Sequence, residues 1–233
     1  MAKRFRIATR RTALRSAFLV AASFMVPALM PSWASAGPAA PATHAYPQLF
    51  GTREIESKNL ATFPKWLGVV ERYGEERSGE NGPCPANTMV SCRLPEWSAF
   101  LGTLRGEDSL AQLQNVNHYV NNHPYVLDPV NYHVPDYWAT PKQFLDIDGD
   151  CEDYAIAKYY SLRELGFDKD EMRVVVLQDL NLQLPHAILV VYLDAKAYVL
   201  DNQIPEVVSA EIIHHYRPYY SINEDHWWLH RPQ

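Results

Sequence analysis

The apolar positions of this 233-residue chain change their period part-way along. Between residues 64 and 75, Trp66, Val69, Val70 and Tyr73 recur at three- and four-residue steps. Trp97, Phe100, Leu101 and Leu104 do the same, and so do Leu110, Leu113, Val116 and Val120 behind Ser109, which is expected to cap that third helix. Such spacing puts each set on one face of a helix. Asn121-Asn122-His123-Pro124 ends the third helix, and residues 125–137 lose the period in a loop with two prolines and three Asp or Asn positions suited to starting turns. Thr140-Pro141 then opens a short helix with Phe144 and Leu145 facing inward. A last helix carries Tyr154, Ile156, Ala157, Tyr160 and Leu162 on its apolar side and stops at Gly166.

Beyond residue 172 the chain reads as strands: β-branched runs over 173–178, 186–193 and 197–201, and a further strand over 216–222 ahead of an aromatic tail, Trp227-Trp228-Leu229-His230. Helices first and strands afterwards give an α+β fold with a mostly antiparallel sheet. If Asp194-Ala195 makes a two-residue turn, Leu193 pairs with Lys196 and Ile188 faces Asp201. His186 then stands one diagonal step from Asp201, on the face that carries Val190 and Tyr192. A slip of one residue would send the aspartate to the opposite face.

Composition changes the picture mainly at the N-terminus. Six basic residues precede an apolar run over 17–30, and Ala34-Ser35-Ala36 offers a small-residue cleavage site. Residues 1–36 therefore read as a signal peptide, and export to the periplasm is expected. Thr9-Arg10-Arg11-Thr12-Ala13-Leu14 leaves both the general and the twin-arginine route open. No later stretch is apolar for long enough to enter a membrane. Residues 37–59, rich in Pro, Ala and Thr and without period, read as a mobile leader, and residues 60–233 as one domain. Without the six basic residues of the leader peptide, 27 acidic residues face 15 basic ones, a balance that argues against nucleic acid as a partner. Of the three cysteines, Cys84 and Cys92 enclose a short Pro, Asn and Ser-rich loop and are expected to form a disulfide, the alternative being two free thiols.

That leaves Cys151, within Asp148-Gly149-Asp150-Cys151-Glu152-Asp153-Tyr154. With Asp150 as the cap, the cysteine falls in the first turn of a helix, where unpaired N–H groups and the helix dipole favour a thiolate. The surrounding carboxylates act against it, so a positive partner is required, either an imidazolium or a divalent cation. The stretch is not a helix-loop-helix calcium hand, because position 6 is Cys151 instead of Gly and position 12 is Ala157 instead of Glu. No histidine pair has zinc spacing. A nucleophile at a helix start, followed by His186 and Asp201 on neighbouring strands, is the order used by papain-like thiol enzymes.

The motifs Asp136-Tyr137-Trp138-Ala139-Thr140-Pro141, Gly149-Asp150-Cys151-Glu152-Asp153-Tyr154-Ala155-Ile156-Ala157-Lys158, Val176-Leu177-Gln178-Asp179, His186-Ala187 and Leu200-Asp201-Asn202-Gln203 resemble the bacterial transglutaminase-like cysteine proteinases, the LapG-like periplasmic proteases. The likeness runs over 97–230, and Asp148 ahead of Gly149 departs from the usual pattern. It implies a papain-like, transglutaminase-like fold and a triad of Cys151, His186 and Asp201. It also implies calcium (Ca2+) held at Asp150, Glu152 and Asp153. The expected substrate is the N-terminal region of a large surface adhesin, cut at an Ala-Ala type site to control biofilm release. The expected partner is the periplasmic domain of an inner-membrane cyclic di-GMP receptor. Two rival readings stay open: another thiol acyl transfer on the same fold, on peptidoglycan peptides or as a transglutaminase, and a calcium-stabilised binding module with an incidental thiol.

Overall fold

A polar strand opens the fold. The computed structural model describes residues 46–78 and 93–233, all within one compact unit, so the expected signal peptide and the Cys84, Cys92 bridge lie outside the described residues. Residues 46–59 belong to the fold instead of a mobile leader: strand β1, Thr52–Ser57, pairs antiparallel with the C-terminal strand. The pattern Thr-Arg-Glu-Ile-Glu-Ser hid it, because an edge strand exposes most of its side chains and needs few apolar ones.

Among the described residues, five α-helices follow on the expected stretches, and a sixth, shorter one lies among them. α1 is Pro64–Ser78, α2 Arg93–Leu104 and α3 Ser109–Asn121. The cap of α3 is Asp108, whose carboxylate accepts from the Ala111 N–H at 3.0 Å, and Ser109 is the first helical residue. An N-cap of this kind contributes about 1 kcal/mol. Leu113, Val116 and Val120 are buried, whereas Leu110 is exposed. α4, Asp128–Asn131, is a single turn within the expected loop. α5, Pro141–Ile147, has Thr140 and Gln143 bonded reciprocally in a capping box, and α6, Cys151–Leu165, ends at Gly166 in the left-handed conformation.

The sheet consists of β1 with β2, Met172–Asp179; β3, Leu184–Leu193; β4, Lys196–Leu200; β5, Val208–Ser209; β6, Tyr216–Ile222; and β7, Trp227–Pro232. Its order is β1-β7-β6-β2-β3-β4-β5 with every pair antiparallel, so the aromatic tail is itself a strand. Leu193 pairs with Lys196 across Asp194-Ala195, as the turn predicts, and the register continues to Leu189 opposite Leu200.

Two apolar cores sit on opposite faces of the sheet. On one face α6 packs with Trp66, Leu113, Phe144 and Trp138 against Val174, Leu189 and Val191. On the other, Val175, Ile188, Val190 and Tyr192 are covered by Leu49, Ala210, Ile213 and Tyr216. Each fully buried aliphatic side chain here is worth roughly 1.5–3 kcal/mol by transfer. A core on both faces fixes the strand parity, because a one-residue slip would exchange the two sets. No helix among the described residues is long and apolar enough to cross a membrane.

Candidate active site

Cys151 begins α6, with Asp150 at the cap position in extended backbone. Asp153, three residues on, reaches back to accept from the Asp150 N–H at 3.2 Å, and its other oxygen accepts from the Ala139 N–H at 2.7 Å. One buried carboxylate thus ties the helix start to the segment ahead of α5. Gly149 is required by this approach: a Cβ there would lie 2.3 Å from Asp153 Oδ2. On the far side of the loop, Gly149 forms a parallel bridge with Tyr125, and the Val126 N–H donates to the Gly149 carbonyl at 2.8 Å.

The β3–β4 hairpin supplies the second half. His186 and Asp201 are both buried, and His186 Nε2 donates to Asp201 Oδ1 at 2.9 Å. The pleat puts His186 on the face of Ile188, Val190 and Tyr192. Asp201 also accepts from the Gln203 N–H at 2.8 Å and from the Tyr216 hydroxyl at 2.5 Å, while its backbone carbonyl accepts from Asn121 Nδ2 at 2.8 Å. Burial alone would raise the Asp201 pKa, yet the hydrogen bonds from His186, Tyr216 and Gln203 outweigh it and hold the carboxyl below its ordinary value. The aspartate is therefore ionised, and His186 keeps Nδ1 as the ring nitrogen free for proton transfer.

The thiol meets the strand that carries the histidine, next to the Ala187 N–H, which lowers its pKa. That pull is overcome. Burial first, then the Glu152 and Asp150 carboxylates, push the Cys151 thiol far up, and Sγ donates to Glu152 Oε2 at 3.1 Å. Tyr125 lies beside the same thiol, its phenol pushed up by burial and then by Cys151, Asp150 and Glu152.

The carboxylates form two adjoining clusters, Asp128 with Asp150 and Asp153, and Asp128 with Asp136 and Glu152. Burial and mutual repulsion raise them together: Asp150 rises to about 8, and Glu152, Asp128 and Asp153 also rise. Asp150 Oδ1 and Asp128 Oδ1 are buried without a hydrogen-bond partner. Orphan carboxylate oxygens beside like charges are the donor set of a hard cation, and the site fits one. Asp153 braces the loop through backbone bonds to both oxygens and also stands in the first cluster, so the expected set Asp150, Glu152 and Asp153 is joined by Asp128 and Asp136. Sequence reasoning missed Asp128 and Asp136. They lay in the aperiodic stretch, where an aspartate reads as a turn residue.

Trp138 does not line the site; it packs edge-on against Trp66 in the helical core.

The model of the bacterial transglutaminase-like cysteine proteinases matches residues 88–229. The chain belongs to that family. Among solved structures it is similar to Legionella pneumophila LapG at 28% identity and a TM-score of 0.56, over 69% of this chain and 87% of that one. The calcium-bound form of that protein matches with the same figures. Its EGTA-treated form matches at 28% identity and TM-score 0.56, over 69% of this chain and 84% of that one. No curated protein sequence matches. The chain is a cysteine proteinase on a LapG-like, transglutaminase-like α+β fold.

Proposed function

We propose that this proteinase is a calcium-dependent periplasmic endopeptidase that cuts the N-terminal region of a large cell-surface adhesin at an Ala-Ala type site, under the control of an inner-membrane cyclic di-GMP receptor. The observation that carries the catalytic part is the 2.9 Å His186–Asp201 pair, on the strand whose next N–H meets the thiol of Cys151 at a helix start. His186 Nδ1 takes the thiol proton, and Sγ attacks the peptide carbonyl, forming a C–S bond. The tetrahedral oxyanion faces the helix start, where the Cys151 N–H is unspent by the helix. The imidazolium returns its proton to the leaving amine as the C–N bond breaks. A water then hydrolyses the thioester with His186 again as base, regenerating the thiol. Asp201 keeps Nε2 protonated throughout, which fixes the tautomer.

Asp150, Glu152 and Asp153 are the residues that would hold calcium, together with Asp128 and with Asp136 beside them. When bound, the cation supplies the positive charge that offsets the carboxylates beside the thiol. The calcium-bound relative supports this reading, as do the orphan oxygens of Asp128 and Asp150.

The test is cleavage of a purified adhesin N-terminal fragment by the mature chain with calcium, with excess chelator, and with Cys151→Ala. Cleavage that requires both the thiol and calcium is expected. Cleavage that survives the chelator would remove calcium from the reading and keep the triad. No cleavage by folded protein would turn the assignment toward peptidoglycan peptides or transamidation.

A further inference from the structure

Lys158 closes the sequence block that begins at Gly149, and the reaction above gives it no part. Seven residues beyond Cys151 on α6, it lies two turns along on the same face. It is fully buried, and its Nζ has no hydrogen-bond partner. Burial pulls its pKa down to about 7, against the opposing pull of the Asp201 carboxylate. Nζ lies over the Tyr154 ring, 5.9 Å from its centroid, and an ammonium with no hydrogen-bond partner is among the most costly groups to bury, so a fold that keeps one has a use for it.

Three more buried atoms are orphaned along α3 and the turn that follows β4: Oδ1 of Asn117, of Asn121 and of Asn202. Two of these amides are already anchored to that turn through nitrogen. Asn121 donates to the Asp201 carbonyl at 2.8 Å, and Asn117 donates to the carbonyls of Pro205 at 3.0 Å and Ile204 at 3.2 Å. α3, which carries two of these asparagines, packs on both the lysine's helix α6 and the strand β4 that leads into Asp201. The chemistries match: an ammonium brings three donors and no acceptor, and the three orphans are carboxamide acceptors.

We propose that Lys158 is a positioning residue for Asp201. Its ammonium, bonded through buried water to the Asn117, Asn121 and Asn202 oxygens, pins residues 201–205 and so holds the Asp201 carboxylate in line with His186 Nε2. The cation also balances the buried negative charge of Asp201. The proposal rests on the Cys151, His186, Asp201 reading, so its test carries a control for that reading.

The experiment follows alkylation of Cys151 by iodoacetamide in the calcium-loaded mature chain, measured on the Cys151 peptide by mass spectrometry. The low-field proton resonance of His186 Nε2–H is recorded alongside. Lys158→Met retains the side-chain length and removes the charge. It is expected to melt no lower than the parent, to alkylate about tenfold more slowly at neutral pH, and to show the His186 proton shifted or lost. Asn202→Ala, at a half-exposed position, is expected to move the same two readouts in the same direction. Alkylation slowed by less than about threefold in Lys158→Met, with the His186 proton unmoved, overturns the proposal. If Lys158→Met does not fold, Asn202→Ala decides by the same criterion. His186→Ala is the control: if it leaves the Cys151 rate unchanged, the triad reading fails first.

Discussion

The two halves of the active site are built on opposite principles. On the hairpin side the Asp201 carboxylate itself is fully partnered: imidazole, phenol and backbone N–H reach it, and the aspartate stays charged although buried. Around the thiol the reverse holds. Asp128 and Asp150 each leave an oxygen orphaned, the carboxylates rise together, and the thiol is pinned to Glu152 as a donor. The protein preorganises its base and leaves its nucleophile to be completed by charge from outside. On the proposed reading, a cation at these carboxylates governs the nucleophile without disturbing the base.

The sharpest break in that comparison is on the hairpin side. Asp201→Asn retains the shape and removes the charge that fixes the imidazole tautomer. The expected result is a fall of about 10³- to 10⁴-fold in kcat with little change in KM. Calcium affinity, measured by titration calorimetry, should be unaltered, because none of the carboxylates that would hold the cation contacts the hairpin pair. A parallel loss of calcium binding would show that the two halves are one unit.

On the carboxylate side the expected effect is on stability. Calcium at a hundredfold excess over its dissociation constant should stabilise the folded chain by about 2.7 kcal/mol. That corresponds to roughly 5–10 °C in the melting temperature of a domain this size. The increment should shrink in Asp150→Asn. It should also shrink with acid, with a definite sign. Asp150 has a folded pKa of about 8 against an ordinary 3.8, so without the cation the folded state holds a proton that the unfolded state has released. This contributes stability that is fully present below pH 4 and is lost as pH rises through about 8. Calcium must displace that proton, so the calcium-induced shift is expected to be full above pH 8 and to decline steadily toward pH 4. His230, buried and lowered to about 4, destabilises both forms alike as pH falls below 6.5, so it cancels from the difference between melts with and without calcium. A calcium shift that does not change with pH would mean that the cation does not bind at these carboxylates.

The same division explains what the sequence made legible. The hairpin half was readable almost to the atom. Its strands alternate, its turn has two residues, and parity then puts His186 diagonal to Asp201. Cys151 at a helix start was equally local, since cap, first turn and Gly166 stop lie within one stretch. Tyr216 escaped notice because its hydroxyl meets Asp201 from β6, two strands away from β3 in the sheet order, and no local pattern encodes that contact. Asp128 and Asp136 escaped for the same reason. The sequence around Trp138 suits a pocket beside Cys151 and a place in the core equally, and its ring turns into the core. β1 was missed because its side chains are polar, its pairing with β7 being carried by backbone bonds. Local periodicity reports what an element buries, and it is silent on what two distant loops bring together.

The smallest effect concerns how the hairpin half achieves its order. Asp194 and Ala195 both have positive φ, 49° and 61°, as a two-residue turn of this hand demands. Aspartate tolerates that region, but alanine suffers the clash of its Cβ with the carbonyl and carries a cost of about 1–2 kcal/mol. Glycine removes the clash and gives back part of the gain through the entropy of the unfolded chain. Ala195→Gly is therefore expected to stabilise the fold by about 0.5–1 kcal/mol in urea denaturation. Cleavage should be unchanged, since Leu193 and Lys196 already hold the register. If cleavage rose with stability, the His186–Asp201 alignment would be limited by the turn, and the hairpin half would be less preorganised than its hydrogen bonds imply.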